Sequence, residues 1–164
     1  MNIFSFFAGA GFLDLGFELQ GNYNVVFVNE FHEAFNHIYR FARQNMGLQE
    51  PRYGHHIEDI TEYIDGKHED RLQRLINWVN ESKEEELTGF IGGPPCPDFS
   101  VAGKNRGRDG ENGRLSGTYA QLICTALPDF FLFENDFSYF RRFKRCRLAD
   151  HSSFTFCSPL ATAK

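Results

Sequence analysis

Asn2-Ile3-Phe4-Ser5-Phe6-Phe7-Ala8-Gly9-Ala10-Gly11-Phe12-Leu13 opens the chain, and its reading decides the fold. Asn2–Phe6 reads as a short buried strand, Gly9-Ala10-Gly11 as a turn, and Leu13–Leu19 has helical spacing. Gly21-Asn22 ends that helix. Val25–Val28 is a second apolar strand. Glu33–Gln44 is helical, with Phe35, Ile38, Tyr39 and Ala42 on one face. Strand, turn, helix, strand and helix within about forty-five residues make a βαβα unit, the start of a parallel sheet.

The pattern continues for most of the chain. Pro51–His56 reads as a loop and Ile57–Ile60 as a short third strand. Arg71–Val79 is amphipathic, with Leu72, Leu75, Ile76 and Val79 at helical spacing. Glu84-Glu85-Glu86 reads as a solvated acidic turn, and Leu87–Ile91 as a fourth strand. The glycine-rich segment 103–117 reads as a mobile loop. Thr118–Leu127 is a helix stopped by Pro128, and Asp129–Phe133 a fifth strand. No internal repeat or low-complexity tract is visible.

Bulk properties narrow the class. The 164 residues suffice for one domain with a real core and not for two. No apolar run approaches the roughly 18 residues that a membrane span needs. Met1-Asn2-Ile3-Phe4 lacks the basic region and small-residue cleavage site of a signal peptide. Cys96, Cys124, Cys146 and Cys157 show neither Cys-x-x-Cys pairing nor zinc spacing. These features read as a cytoplasmic, reduced protein without a metal. The net charge of −5 argues mildly against a polyanionic partner, but its distribution is uneven. Residues 1–135 carry 11 Lys/Arg against 20 Asp/Glu, and residues 136–164 carry 6 against 2. An acidic protein can still bind nucleic acid through a locally basic cleft.

Two stretches carry chemistry. In Gly92-Gly93-Pro94-Pro95-Cys96-Pro97-Asp98-Phe99-Ser100 a cysteine sits among prolines just past an apolar strand. Prolines hold its backbone in a nearly single conformation, and glycines allow close approach. That presents a nucleophile, although a rigid loop with an incidental cysteine has the same composition. Lys104, Arg106, Arg108 and Arg114 follow among glycines, opposed by Asp109 and Glu111, as phosphate contacts or as an ordinary solvated loop. Phe7-Ala8-Gly9-Ala10-Gly11 lies between strand and helix, where doubly wound folds bind adenosine-containing ligands, and a helix N-terminus favours anionic groups. It lacks the third glycine of the dinucleotide fingerprint, which favours another adenosyl ligand over NAD. Glu30 ends the second strand, where an acid can chelate ribose hydroxyls. A surface carboxylate ahead of a helix reads equally well there.

Pro94-Pro95-Cys96 with Asp98-Phe99-Ser100 and Ala102-Gly103 resembles the catalytic loop of the DNA cytosine-5 methyltransferases. Phe6–Phe12 resembles that family's cofactor loop, and Phe133-Glu134-Asn135 its Glu-Asn-Val motif. The three stand in the family's order and span most of residues 1–135. The resemblance implies a Rossmann-like parallel sheet of the S-adenosylmethionine-dependent methyltransferase type, incomplete at its C-terminus. It implies S-adenosylmethionine held by Phe7, Ala8, Gly9, Gly11 and Glu30, by the pair Asp59-Ile60, and near Pro94. The Cys96 thiolate would add to carbon 6 of a flipped cytosine, so that carbon 5 takes the methyl group. Glu134 would hold the ring at N3, and Asn135 would order the Cys96 loop. Ser100, Lys104, Arg106 and Arg108 would meet double-stranded DNA, and a cognate restriction system is an expected partner.

The match then stops. Asp136 stands where the family has valine. The arginine motif that holds cytosine, the target-recognition region and the closing helix find no counterpart. Residues 136–164 are expected to be a poorly packed segment, read in a shifted frame or from a truncated gene, or else a genuine basic tail. Three functions stay open: a DNA cytosine-5 methyltransferase, acting alone or with a complementing C-terminal chain; a remnant that only binds cofactor; and a tRNA cytosine-5 methyltransferase using the same motifs.

Overall fold

The computed structural model describes residues 1–95 and 111–134, with residues 111–113 described by backbone alone. Five strands form one parallel sheet: β1 (Asn2–Phe6), β2 (Asn24–Asn29), β3 (His55–His56), β4 (Thr88–Gly92) and β5 (Phe130–Phe133). Their spatial order is β3-β2-β1-β4-β5. The chain runs outward from β1 to β3, then crosses back to lay β4 on the other side of β1. The sheet therefore reverses between β1 and β4, and ligands of open α/β sheets bind at such a switch point. This is a Rossmann-like α/β architecture with an open, wholly parallel sheet among the described residues.

Burial on both faces explains the sequence of the central strands. All five residues of β1 and of β4 are buried, as expected of parallel strands covered by helices. On one face Phe4, Phe6, Phe27 and Phe90 pack against Leu75 and Val79 of α3 (Glu69–Glu85) and Tyr119, Leu122 and Ile123 of α4 (Glu111–Ala126). On the other, Ile3, Val25, Val28 and Ile91 meet Leu13 and Phe17 of α1 (Phe12–Glu18) and Tyr39 of α2 (Glu33–Met46). Each buried aromatic or branched side chain contributes about 1.5–3 kcal/mol. The register shifts between Ile3 and Phe4, which pair with Val25 and Phe27, so Val26 is an extra residue that lets Phe27 join the first face. At Gly89 a Cβ would lie 2.2 Å from the Phe130 ring, which fills that place.

Several boundaries differ from the sequence reading. The third strand is His55–His56 and not Ile57–Ile60. Ile60 instead begins a 3-10 turn, Ile60–Tyr63, capped by the Asp59 carboxylate, which accepts from the Thr61 N–H at 2.8 Å. A capping Asp outcompetes a short apolar strand locally. Helix α3 is longer than Arg71–Val79 and takes in Glu84 and Glu85, whose charges tolerate a solvated helix as readily as a turn. Residues 111–117, expected in a loop, are the first turns of α4; residues 103–110 lie outside the described part. On α2 the buried face is Asn36, Tyr39 and Arg43, while Phe35 and Ile38 are exposed.

Candidate functional site

Strand register builds the site. Phe6 pairs with both Asn29 and Gly92, Gly92 pairs with Phe133, and Asn29 pairs with His56. The C-terminal strand ends thus stand in one row. The next residues along it are Phe7, Glu30, Gly93 and Glu134. A cleft of about 590 Å³ opens here, within the size range of small-molecule sites. Its walls include Phe7, Gly9, Glu30, Asp59 and Ile60 on the β1–β2 side and Gly93, Pro95, Arg114 and Leu115 on the β4–α4 side. A second cleft of about 380 Å³, around Tyr63, His68 and Leu72, contains no strand end.

The turn after β1 is unusual backbone. Phe7 has φ +54°, Gly9 +55° and Gly11 +87°. A non-glycine residue in the left-handed region costs about 1–3 kcal/mol and persists only where surroundings fix it. The Phe7 ring meets Tyr119 edge-on at 5.9 Å. The Ala8 N–H donates to the Asn29 carbonyl at 3.3 Å, tying the turn to β2. Glu30, only 9% exposed, fixes both neighbouring loops. One carboxylate oxygen accepts from the Gly9 N–H at 2.7 Å, and the other accepts from the His32 N–H at 2.8 Å. Each oxygen keeps a further lone pair for a ligand hydroxyl. Asp59 caps the 3-10 turn through Oδ1, and Ile60 closes the floor.

On the opposite wall the Glu134 N–H donates to the Gly92 carbonyl at 2.9 Å. The Glu134 carboxylate occupies the space beside Gly93, where a Cβ would stand 2.7 Å from Oε2. Gly92 is equally crowded: its Cβ would meet the Tyr119 ring at 2.9 Å and the Phe6 carbonyl at 3.0 Å. Close approach of the Tyr119 ring and the Phe6 backbone thus favours glycine at 92, whereas at 93 the neighbour is the flexible end of the Glu134 side chain.

Of the residues singled out from sequence, Phe7, Gly9, Glu30, Asp59 and Ile60 line one cleft, and Glu134 flanks it across Gly93. Ala8 and Pro94 are buried and do not line it. Gly11 also stands back from it, packed on Tyr39, where its Cβ would lie 2.7 Å from two ring carbons. Cys96, Ser100, Lys104, Arg106, Arg108 and Asn135 lie outside the described residues, as do residues 136–164. The sequence reading missed Phe31, His32, Phe35, Thr61 and Leu115 as lining residues. The signal for the first three was present: aromatic residues directly after a strand-end acid, with Phe31 67% and Phe35 46% exposed. Among the described residues no three potential metal ligands gather, and no helix is long and apolar enough to cross a membrane.

A family model for C-5 cytosine-specific DNA methylases matches residues 1–136. Type II methyltransferase M.NmeDI of Neisseria meningitidis serogroup C is 52% identical over 134 residues, covering 81% of this chain and 31% of that protein. Type II methyltransferase M.MthTI of Methanothermobacter thermautotrophicus is 33% identical over 82% of this chain and 33% of its own length. M.NgoPII of Neisseria gonorrhoeae is 36% identical over the same shares. The chain thus spans about a third of the length of these curated relatives.

Proposed function

The chain belongs to the C-5 cytosine-specific DNA methylase family, and we propose that it carries the cofactor-binding and methyl-transfer machinery of a DNA cytosine-5 methyltransferase. The observation that carries this reading is the row of Phe7, Glu30, Gly93 and Glu134 past the strand ends, with Pro95, the neighbour of Cys96, in the same cleft. The β1–β2 side fits an adenosyl ligand. Glu30 offers free lone pairs to ribose hydroxyls. Phe7, Phe31 and Ile60 give apolar surface for the base, and Asp59 a polar edge beside it. When bound, S-adenosylmethionine supplies the electrophilic methyl group that carbon 5 of cytosine takes up.

The chain's own groups do the rest. The Cys96 thiolate adds to carbon 6, which moves an electron pair towards carbon 5. The Glu134 carboxyl holds or donates a proton at N3 as charge develops on the ring. After methylation a base takes the hydrogen from carbon 5, and the thiolate leaves carbon 6. Asn135 orders the Cys96 loop. Arg114, exposed at the start of α4, faces the cleft, and with Ser100, Lys104, Arg106 and Arg108 it would meet DNA phosphates. Target recognition is assigned to the two thirds of the relatives' length that lie outside the matched span. Residues 1–135 are the catalytic domain in this reading, with 136–164 apart from it.

The test is a trapping experiment. Duplex DNA with a fluorinated cytosine is incubated with S-adenosylmethionine, the chain, and the remaining part of an M.NmeDI-like relative. A covalent adduct that requires Cys96 and Glu134 is expected. Adduct formation that survives Cys96→Ala, or no adduct in any combination, would overturn the proposal.

A further inference from the structure

Behind the cleft lies a buried polar cluster that the proposed chemistry leaves without a role. Asp14, fully buried in the first turn of α1, accepts from the Ser5 hydroxyl and from the Tyr39 hydroxyl, each at 2.7 Å. One carboxylate so joins β1, α1 and α2. The Tyr39 ring, 1% exposed, sits in the space that a side chain at Gly11 would need. One turn along α2, Arg43 grips Glu18 of α1 through two bonds of 2.5 and 2.8 Å and reaches the Tyr39 oxygen at 3.4 Å.

Apolar side chains of similar volume would hold two helices together without desolvating a carboxylate. A hydrogen-bonded cluster differs in admitting a single geometry. Here it closes a loop: Ser5 stands two residues before Phe7 and Asp14 three after Gly11, so the Ser5–Asp14 bond clamps the Phe7–Gly11 turn at both ends. Tyr39 presses on the turn from beneath, and Glu30 holds its apex through the Gly9 N–H. Three left-handed residues within five positions would otherwise relax. We propose that Ser5, Asp14 and Tyr39 are positioning residues that set the Phe7–Gly11 turn for the adenosyl ligand, an inference that rests on the ligand reading above.

Protonation gives the cluster a signature. Asp14 faces Glu18 on its own helix, Tyr39 and Arg43 on α2, and Tyr119 on α4. Burial pushes its carboxyl up to about 6, while the bonds from Tyr39 and Ser5 oppose the rise. An added proton makes one of the Asp14 oxygens a weaker acceptor and gives the buried carboxyl a donor that needs a partner of its own, so the cluster's hydrogen bonding must readjust. Turn geometry should then follow the charge of Asp14.

The experiment titrates the full chain with S-adenosylhomocysteine by calorimetry between about pH 5 and pH 8, with thermal melts alongside. Tyr39→Phe keeps the ring beneath Gly11 and removes only the hydroxyl. It should stay folded yet bind about tenfold more weakly, and Ser5→Ala should behave likewise. Wild-type affinity should fall near pH 6, with the Gly9 and Gly11 amide resonances moving in step; Asp14→Asn should lose that inflection although His32 and Glu30 still face the cleft. If wild type binds and these variants match it in affinity and pH profile, the inference fails while the ligand reading stands. If wild type does not bind S-adenosylhomocysteine, both fail. Should Asp14→Asn not fold, Tyr39→Phe and Ser5→Ala decide the question.

Discussion

Gly93→Ala separates geometry from stability. A Cβ there would lie 2.7 Å from Glu134 Oε2, and the other contacts, Glu134 Cβ and Cδ, are at 3.7 Å. The only serious overlap is with the far end of a flexible side chain at the rim of the cleft. Gly93 is not among the residues with positive φ, so alanine meets no backbone strain. Replacing such a glycine restricts the unfolded chain and stabilises by about 0.4–1 kcal/mol. Bending the Glu134 side chain off its rotamer costs about 0.5–1.5 kcal/mol. The two nearly cancel, and the melting temperature should move by no more than a few degrees. The carboxylate, however, must retreat by about 0.7 Å to reach ordinary van der Waals contact. A misplacement of about 1 Å can cost about a hundredfold in rate. Gly93→Ala should therefore fold and bind S-adenosylhomocysteine as wild type does, and trap fluorinated cytosine roughly a hundredfold more slowly in the complemented assay. Trapping at the wild-type rate would refute the role given to the Glu134 position. Loss of folding would refute the claim that this contact can yield.

Gly11→Ala is the opposite case: φ is +87° and the obstacle is the buried Tyr39 ring, so urea denaturation should show a loss of about 2–4 kcal/mol. Glu30→Ala removes two charge-assisted bonds and should weaken S-adenosylhomocysteine binding by about 1–3 kcal/mol in calorimetry, whereas unchanged affinity with a lowered melting temperature would leave Glu30 a loop clamp only. Asp14 sets a pH dependence of stability. Its folded pKa of about 6 lies above the unfolded value, so the folded state binds more protons between about pH 4 and pH 6, and stability falls as pH rises through that window. The fall should reach about 3 kcal/mol, and Asp14→Asn should flatten it.

How much of this was legible in the sequence depended on what each residue answers to. Strands β1, β2 and β4 were readable because burial on both faces demands continuous apolar runs. β3 was not, since His55-His56 pairs through backbone at the sheet edge with no side-chain pattern to announce it. The first turns of α4 were hidden because Gly113 and Gly117 look like loop composition, while helix Glu111–Ala126 is held by Tyr119, Leu122 and Ile123 further along. The α2 face was misjudged for another reason. Phe35 and Ile38 have the spacing of a core stripe, yet the buried positions went to Asn36, Tyr39 and Arg43, and the polar ends of Tyr39 and Arg43 meet α1 and the segment after α2.

The site divides the same way. Glycines and acids at strand ends are visible because their chemistry is local: Gly9 and Glu30 sit where the turn and strand end would place them. Contacts that join distant segments are invisible to any window. Nothing near Gly93 announces that its missing side chain is replaced by Glu134, forty-one positions later in the chain. Nothing near Asp14, on the polar side of any helical reading, announces that it is the least exposed residue of α1. These two contacts set opposite walls of one cleft, the first by leaving room for a carboxylate and the second by anchoring a strained turn. A change at Gly93 should therefore move transfer without ligand affinity, and a change at Tyr39 should move ligand affinity first. Combined, Gly93→Ala and Tyr39→Phe have no shared partner, so their effects on the trapping rate at limiting ligand should multiply. A product departing from that by more than about twofold would mean that the two walls move as one unit.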